Sequence, residues 1–66
     1  MVTIYKTEHC PMCAMLINKL NEKNIEYNTI TDPQILKNKK ITFVPVLEYQ
    51  KQLMNLTQAL QWIGEQ

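Results

Sequence analysis

The order of secondary-structure patterns in the first half of the sequence restricts the fold more than any other feature. Strand-forming residues alternate over residues 2–5, and a second alternating run covers residues 25–30. Between these runs, a segment that opens at Pro11 carries apolar residues at helical spacing: Cys13, Leu16, Ile17 and Leu20. A strand, a helix and a strand in this order predict a βαβ unit with parallel strands and a right-handed crossover.

Polar residues and prolines mark where the next elements begin and end. Glu26 and Asn28 favour an edge position for the second strand. Asp32 followed by Pro33 predicts the N-cap and first position of a short second helix. Pro45 cannot donate to a central ladder, so we expect it to precede a third strand over residues 46–49.

The C-terminal part of the chain predicts a hairpin and a closing helix. Gln50 and Lys51 separate the third strand from a fourth strand over residues 52–54. Either Asn55 or Thr57 can cap the last helix, whose apolar residues are Leu56, Ala59, Leu60 and Ile63. The full predicted order is therefore β-α-β-α-β-β-α.

Length and composition point to one globular domain over residues 1–66. The chain is 45% hydrophobic and 20% charged, which is typical of a folded protein. A net charge of +1 gives no reason to expect a nucleic-acid or membrane partner. No run approaches the ~20 apolar residues of a membrane span, and residues 1–5 are too short for a secretory signal. We therefore expect a cytoplasmic location.

The only two cysteines, Cys10 and Cys13, lie where the first strand gives way to the first helix. Pro11 suits the first helical position, because its φ is fixed and it has no N–H to leave unpaired. Cys10 then adjoins the N-cap, where free N–H groups and the helix dipole favour the thiolate. Cys13 falls on the apolar face of the helix. We expect an exposed, activated Cys10 and a sheltered Cys13, as two-step thiol exchange requires.

Other functions of the cysteine pair remain open at this point. In a reducing compartment, Cys-x-x-Cys indicates either redox chemistry or metal binding. Structural zinc needs four ligands, whereas Cu(I) needs only two thiolates, so a Cu(I) carrier is the main alternative. Cluster ligation by a dimer, a non-catalytic interaction domain and two packing thiols are further alternatives. His9 is either a solvated loop residue or a positive group that favours the Cys10 thiolate.

Nearly the whole chain resembles the thioredoxin fold and, within it, the small glutaredoxin-like thiol-disulfide oxidoreductases. The resemblance is carried by Cys10-Pro11-Met12-Cys13 after the first strand, by Val44-Pro45 and by the order of elements. It implies an α/β fold with a four-stranded mixed sheet, in the order 2-1-3-4, covered by helices. Copper carriers with a similar Cys-x-x-Cys resemble βαββαβ domains, which end in a strand.

The resemblance also implies roles for individual residues. The Val44–Pro45 peptide bond is expected to be cis and to lie beside the redox pair. The substrate-binding residues are expected to be Pro11, Met12, Val44 and Pro45. The Val44 backbone would pair with an extended segment of the substrate, and Met12 would offer the partner an exposed apolar contact. Cys10 and Cys13 would be catalytic, and no metal or bound cofactor is implied.

The reductant is left open by three departures from glutathione-dependent members of this family. Met12 stands where they usually have Tyr, and Thr7 stands where they usually have Lys. Asn55-Leu56-Thr57 replaces the usual Gly pair and acidic residue. Glutathione and a thioredoxin-reductase-like protein are both candidate reductants, the latter as for glutaredoxin-like electron donors of ribonucleotide reductase. We expect a monomeric electron carrier that reduces protein or small-molecule disulfides.

Two further predictions concern packing. The aromatic residues expected in the core or at its edge are Tyr5, Phe43, Tyr49 and Trp62. Met15 and Met54 are expected to fill the core.

Overall fold

Four strands and three helices follow each other in the predicted order. The computed structural model describes residues 1–66. Its elements are β1 (Val2–Tyr5), α1 (Pro11–Glu22), β2 (Tyr27–Ile30), α2 (Pro33–Asn38), β3 (Val46–Tyr49), β4 (Gln52–Met54) and α3 (Leu56–Gly64). The sheet order is β2-β1-β3-β4, with β1 parallel to β2 and antiparallel to β3, and β3 antiparallel to β4. These findings confirm the predicted α/β architecture and the edge position of β2.

Each helix begins at a side chain that accepts a hydrogen bond from a free N–H group. Cys10 caps α1, and Asp32 caps α2 by accepting from the Gln34 N–H at 2.9 Å. Asn55, rather than Thr57, caps α3: its Oδ1 accepts from the Gln58 N–H at 2.8 Å, and the Gln58 side chain accepts from the Asn55 N–H at 2.9 Å. This reciprocal pair is a capping box.

Helices α1 and α2 end in the same way, with a residue in the left-handed conformation. After α1, Asn24 has φ 57° and the Ile25 N–H donates to the Leu20 carbonyl at 3.0 Å. After α2, Lys40 has φ 59° and the Ile41 N–H donates to the Leu36 carbonyl at 2.9 Å. Both ends are Schellman motifs. Because the Ile25 N–H completes α1, β2 begins at Tyr27 rather than at the predicted residue 25.

The core is divided between the two faces of the sheet. The larger cluster joins the sheet to α1 and α3 and comprises Val2, Ile4, Leu16, Leu20, Leu47, Met54, Ala59 and Ile63. The smaller cluster joins the other face to α2 and comprises Tyr5, Leu36 and Val46. Alternate residues of β1 and β3 therefore serve different clusters.

Two of the predicted core residues lie at the surface. Phe43 is 59% exposed, because it precedes β3 in a connection that no helix covers. Met15 is 36% exposed, because it lies to one side of the buried stripe of α1. The predictions for Tyr5 and Met54 are confirmed, and the Tyr49 and Trp62 rings pack at the core edge with centroids 5.0 Å apart.

Candidate active site

The two cysteines form a disulfide across the first turn of α1. Cys10 is the N-cap residue, with an extended backbone, and Pro11 takes the first helical position as predicted. The Cα atoms of Cys10 and Cys13 are 5.2 Å apart, which lies within the usual range for a bridged pair. Cys13 is fully buried. Cys10 is partly buried rather than exposed as predicted, so the two cysteines differ in burial less than we expected.

The main chain of α1 presents positive charge to the Cys10 sulfur. The Cys13 N–H donates to Cys10 Sγ over 3.1 Å. The first turn of α1 contains no acidic residue that would oppose a negative charge there. When the disulfide is reduced, the same N–H and the helix dipole favour a thiolate on Cys10. Of the two sulfur atoms, Cys10 Sγ is therefore the one that accepts a main-chain N–H of α1.

The Val44–Pro45 peptide bond is cis, as the resemblance implied. Pro45 is buried and Val44 is partly buried. Val46, the first residue of β3, pairs with Tyr5, the last residue of β1. Since the chain leaves β1 toward Cys10 and enters β3 from Pro45, the topology brings the cysteine motif and the cis-proline to the same end of the sheet.

The other residues predicted for the site are Met12, within the motif, and His9, directly before it, and both are exposed. Met12 is 50% exposed, consistent with an apolar contact for a partner. His9 is exposed in the β1–α1 connection. It lines a shallow concavity of about 450 Å³ together with Thr7, Glu8, Thr31 and Pro33. The His9 side chain makes no hydrogen bond or ion pair in the structure.

Sequence analysis missed a polar cluster on the α2 face of the sheet. The Tyr5 hydroxyl donates to Glu48 Oε1, and Lys39 Nζ lies 3.6 Å from the same oxygen. Lys39 Nζ also lies 5.8 Å from the centroid of the Tyr5 ring. Burial raises the pKa of Tyr5, and the hydrogen bond to Glu48 raises it further. Contact with Tyr5, and then with Glu48, raises the pKa of Lys39.

This cluster fastens the end of α2 to β1 and β3. Lys39 is the C-cap of α2, at the start of the connection that leads to Pro45. The alternation of β1 and β3 was the one available signal, because it places Tyr5 and Glu48 on the same face once the strands are paired.

When reduced, Cys10 and Cys13 provide two thiolates, the ligand type that Cu(I) prefers. No group of three or more His, Cys, Asp or Glu side chains is arranged to hold a metal ion.

The geometry agrees with a comparison of the chain with models of protein families. The family described as Glutaredoxin matches residues 2–65. The chain belongs to the glutaredoxin family. A comparison with curated proteins gives no significant match. Membership indicates thiol-disulfide oxidoreductase chemistry in general, with a disulfide substrate and glutathione or a reductase as partner.

None of the three helices has the length and apolar character needed to cross a membrane.

Proposed function

We propose that this glutaredoxin-family protein is a dithiol electron carrier that reduces disulfides through Cys10 and Cys13. The observation that carries the proposal is the asymmetric pair at the start of α1. Cys10 is only partly buried and its sulfur accepts the Cys13 N–H, whereas Cys13 is fully buried. Its position at the same end of the sheet as Pro45 supports substrate docking there.

The proposed reaction has two exchange steps. The Cys10 thiolate attacks one sulfur of the substrate disulfide, which breaks that bond, forms a mixed disulfide and releases the first substrate thiolate. Cys13 then loses its proton and attacks Cys10 Sγ, which forms the Cys10–Cys13 disulfide and releases the second substrate thiolate. Both released thiolates take up protons. Two electrons pass from the cysteine pair to the substrate, and an external thiol reductant restores the pair.

The substrate is proposed to dock against the backbone of Val44 and the ring of Pro45. Val44 precedes β3 and is partly exposed, so its main-chain groups can pair with an extended segment. Met12, which is exposed in the first turn of α1, adds an apolar contact for the substrate.

The reductant is proposed to be glutathione or a thioredoxin-reductase-like protein. Thr7 and Met12 replace the Lys and Tyr that glutathione-dependent members usually have, which favours the reductase. Ribonucleotide reductase in the cytoplasm is the proposed electron acceptor, as for the glutaredoxin-like electron donors that the chain resembles. Turnover of hydroxyethyl disulfide is measured first with glutathione and its reductase, then with thioredoxin reductase. We expect the second system to sustain the faster turnover. Faster turnover with glutathione would contradict this choice.

The fold does not favour a Cu(I) carrier. Copper carriers of βαββαβ order also place Cys-x-x-Cys between a first strand and a first helix, but their second and third strands follow each other directly. Here α2 lies between β2 and β3, and the Val44–Pro45 bond is cis.

The roles of the two cysteines are tested by single substitutions. Cys10→Ser is expected to abolish the reduction of insulin and hydroxyethyl disulfide, because the attacking sulfur is lost. Cys13→Ser is expected to accumulate a mixed disulfide with the protein substrate, visible by non-reducing electrophoresis and mass spectrometry. Full activity of Cys10→Ser, or a mixed disulfide that accumulates on Cys13 in the Cys10→Ser variant, would refute the assignment.

A further inference from the structure

An apolar groove opens on the α2 face of the sheet, next to the cis-proline. Its volume is about 180 Å³, and five of its eight lining residues are hydrophobic. Phe43 and Leu53 line it and are 59% and 47% exposed. The buried Val46 forms part of its floor. Large apolar side chains exposed together in one groove mark an interaction surface.

The groove is continuous with the proposed docking site of the substrate. Phe43 directly precedes Val44, and Val46 directly follows Pro45. A partner segment that pairs with the Val44 backbone is therefore next to two of the residues that line the groove, Phe43 and Val46. Leu53 lies on β4, which is paired only with β3 and has a free backbone edge. An extended chain can pair with such an edge.

The positive charge of Lys40 indicates which kind of partner the groove binds. Lys40 is the one charged residue among the lining residues. The ion pairs of the structure join Lys19 to Glu22 and Lys39 to Glu48, so Lys40 is left without an acidic partner. A second copy of the chain, related by two-fold symmetry, would bring two Lys40 side chains together. An acidic group on another protein complements Lys40 instead.

We propose that this groove binds an extended segment of a protein substrate that carries an apolar side chain and a carboxylate beside its reactive cystine. The inference rests on the proposed disulfide exchange and narrows its substrate class to protein disulfides with this local sequence. Small disulfides react at Cys10 without entering the groove.

The test compares two substrates and three variants. One disulfide-bonded peptide carries Leu and Asp beside its cystine, and a matched peptide carries Ser and Lys at those positions. The Phe43→Ser/Leu53→Ser double variant removes the apolar walls. Lys40→Asn removes the charge with a residue that tolerates the left-handed conformation of Lys40. Ile35→Ser, at a 37% exposed position of α2 that does not line the groove, is the control.

We expect the wild-type protein to have a higher kcat/KM for the Leu-Asp peptide than for the Ser-Lys peptide. The double variant should lower kcat/KM for the Leu-Asp peptide by about tenfold or more, since it loses the burial of two apolar side chains. Lys40→Asn should lower it by about two- to fivefold and weaken its dependence on salt. Ile35→Ser should change neither substrate, and all three variants should reduce hydroxyethyl disulfide at the wild-type rate.

Equal kcat/KM for the two peptides with the wild-type protein would overturn the inference, and this result does not depend on the folding of any variant. Unchanged peptide kinetics in the double variant would also overturn it. A wild-type dimer that the double variant converts to a monomer would overturn it in favour of self-association. If the wild-type protein reduces no disulfide, the proposed function fails. Binding of a cystine-free Leu-Asp peptide, followed by fluorescence anisotropy, then still decides whether the groove binds this sequence.

Discussion

The expected reactivity of the Cys10 sulfur comes from main-chain groups rather than from a charged side chain. Its contact in the structure is the Cys13 N–H, and Pro11 begins the helix without an N–H of its own. A thiolate at an N-cap accepts these N–H groups and faces the positive end of the helix dipole. The reactivity therefore depends on the helix being folded.

This dependence predicts a difference between native and unfolded protein. In reduced Cys13→Ser, which leaves one thiol, alkylation of Cys10 should reach half its maximal rate at a pH below the free-cysteine value of about 8.5. The measurement is the rate of reaction with iodoacetamide across pH. The same protein in concentrated urea is the matched control and should behave like free cysteine. Equal profiles in the two conditions would remove the helix terminus as the cause.

The positions of the two cysteines at the start of α1 were predictable from sequence, because the signals are local. The exposure of Phe43 was not predictable. Cys10, Pro11 and Cys13 lie within four consecutive residues, so their spacing and the rigid φ of proline determine their positions in α1. The exposure of Phe43 depends on whether another element covers the α2–β3 connection. That is a tertiary property, and an aromatic residue next to a strand gives no sign of it.

Among the secondary-structure elements, α2 is held to the sheet by Tyr5, Glu48 and Lys39. The Tyr5–Glu48 hydrogen bond joins residues 43 positions apart. Lys39, at the end of α2, forms an ion pair with the same Glu48 side chain. This contact was not predictable, because it requires the register of β1 against β3. The position of the hairpin turn was predicted, but its backbone conformation was not. Gln50 and Lys51 both have positive φ, 50° and 66°, where such a turn usually has Asn or Gly.

The raised pKa of Tyr5 predicts how stability changes in alkaline solution. The unfolded chain releases the phenol proton near pH 10, whereas the folded protein retains it to a higher pH. The folded state then binds more protons than the unfolded state, so the free energy of unfolding falls as pH rises above about 10. The stabilising effect is fully present below that pH.

Tyr5→Phe should flatten this decrease, and the measurement is urea unfolding at a series of pH values from 8 to 11. Tyr27→Phe, in the edge strand β2, is the matched control and should leave the wild-type slope unchanged. An unchanged slope in Tyr5→Phe would show that burial and the hydrogen bond to Glu48 do not raise the pKa of Tyr5 in solution.

The stability of the whole protein depends on a small number of side chains that join α1 and α3 to the sheet. Leu47 is fully buried on β3, one of the two central strands, and pairs with Ile4 on β1 and Met54 on β4. All three belong to the cluster that packs against α1 and α3. The resemblance implied the sheet order 2-1-3-4, which makes β3 central, and the structure confirms it.

Leu47→Ala should therefore destabilise the protein by about 2–5 kcal/mol, the usual cost of removing a fully buried leucine side chain. A chain of 66 residues has a total stability of roughly 3–10 kcal/mol, so the substitution should remove a large part of it. Leu53→Ala is the matched control, because Leu53 lies on the neighbouring strand, faces the opposite side of the sheet and is 47% exposed. It should cost less than about 1 kcal/mol. The measurement is urea unfolding of both variants with the disulfide intact, and equal losses would mean that the cluster under α1 and α3 is not the main source of stability.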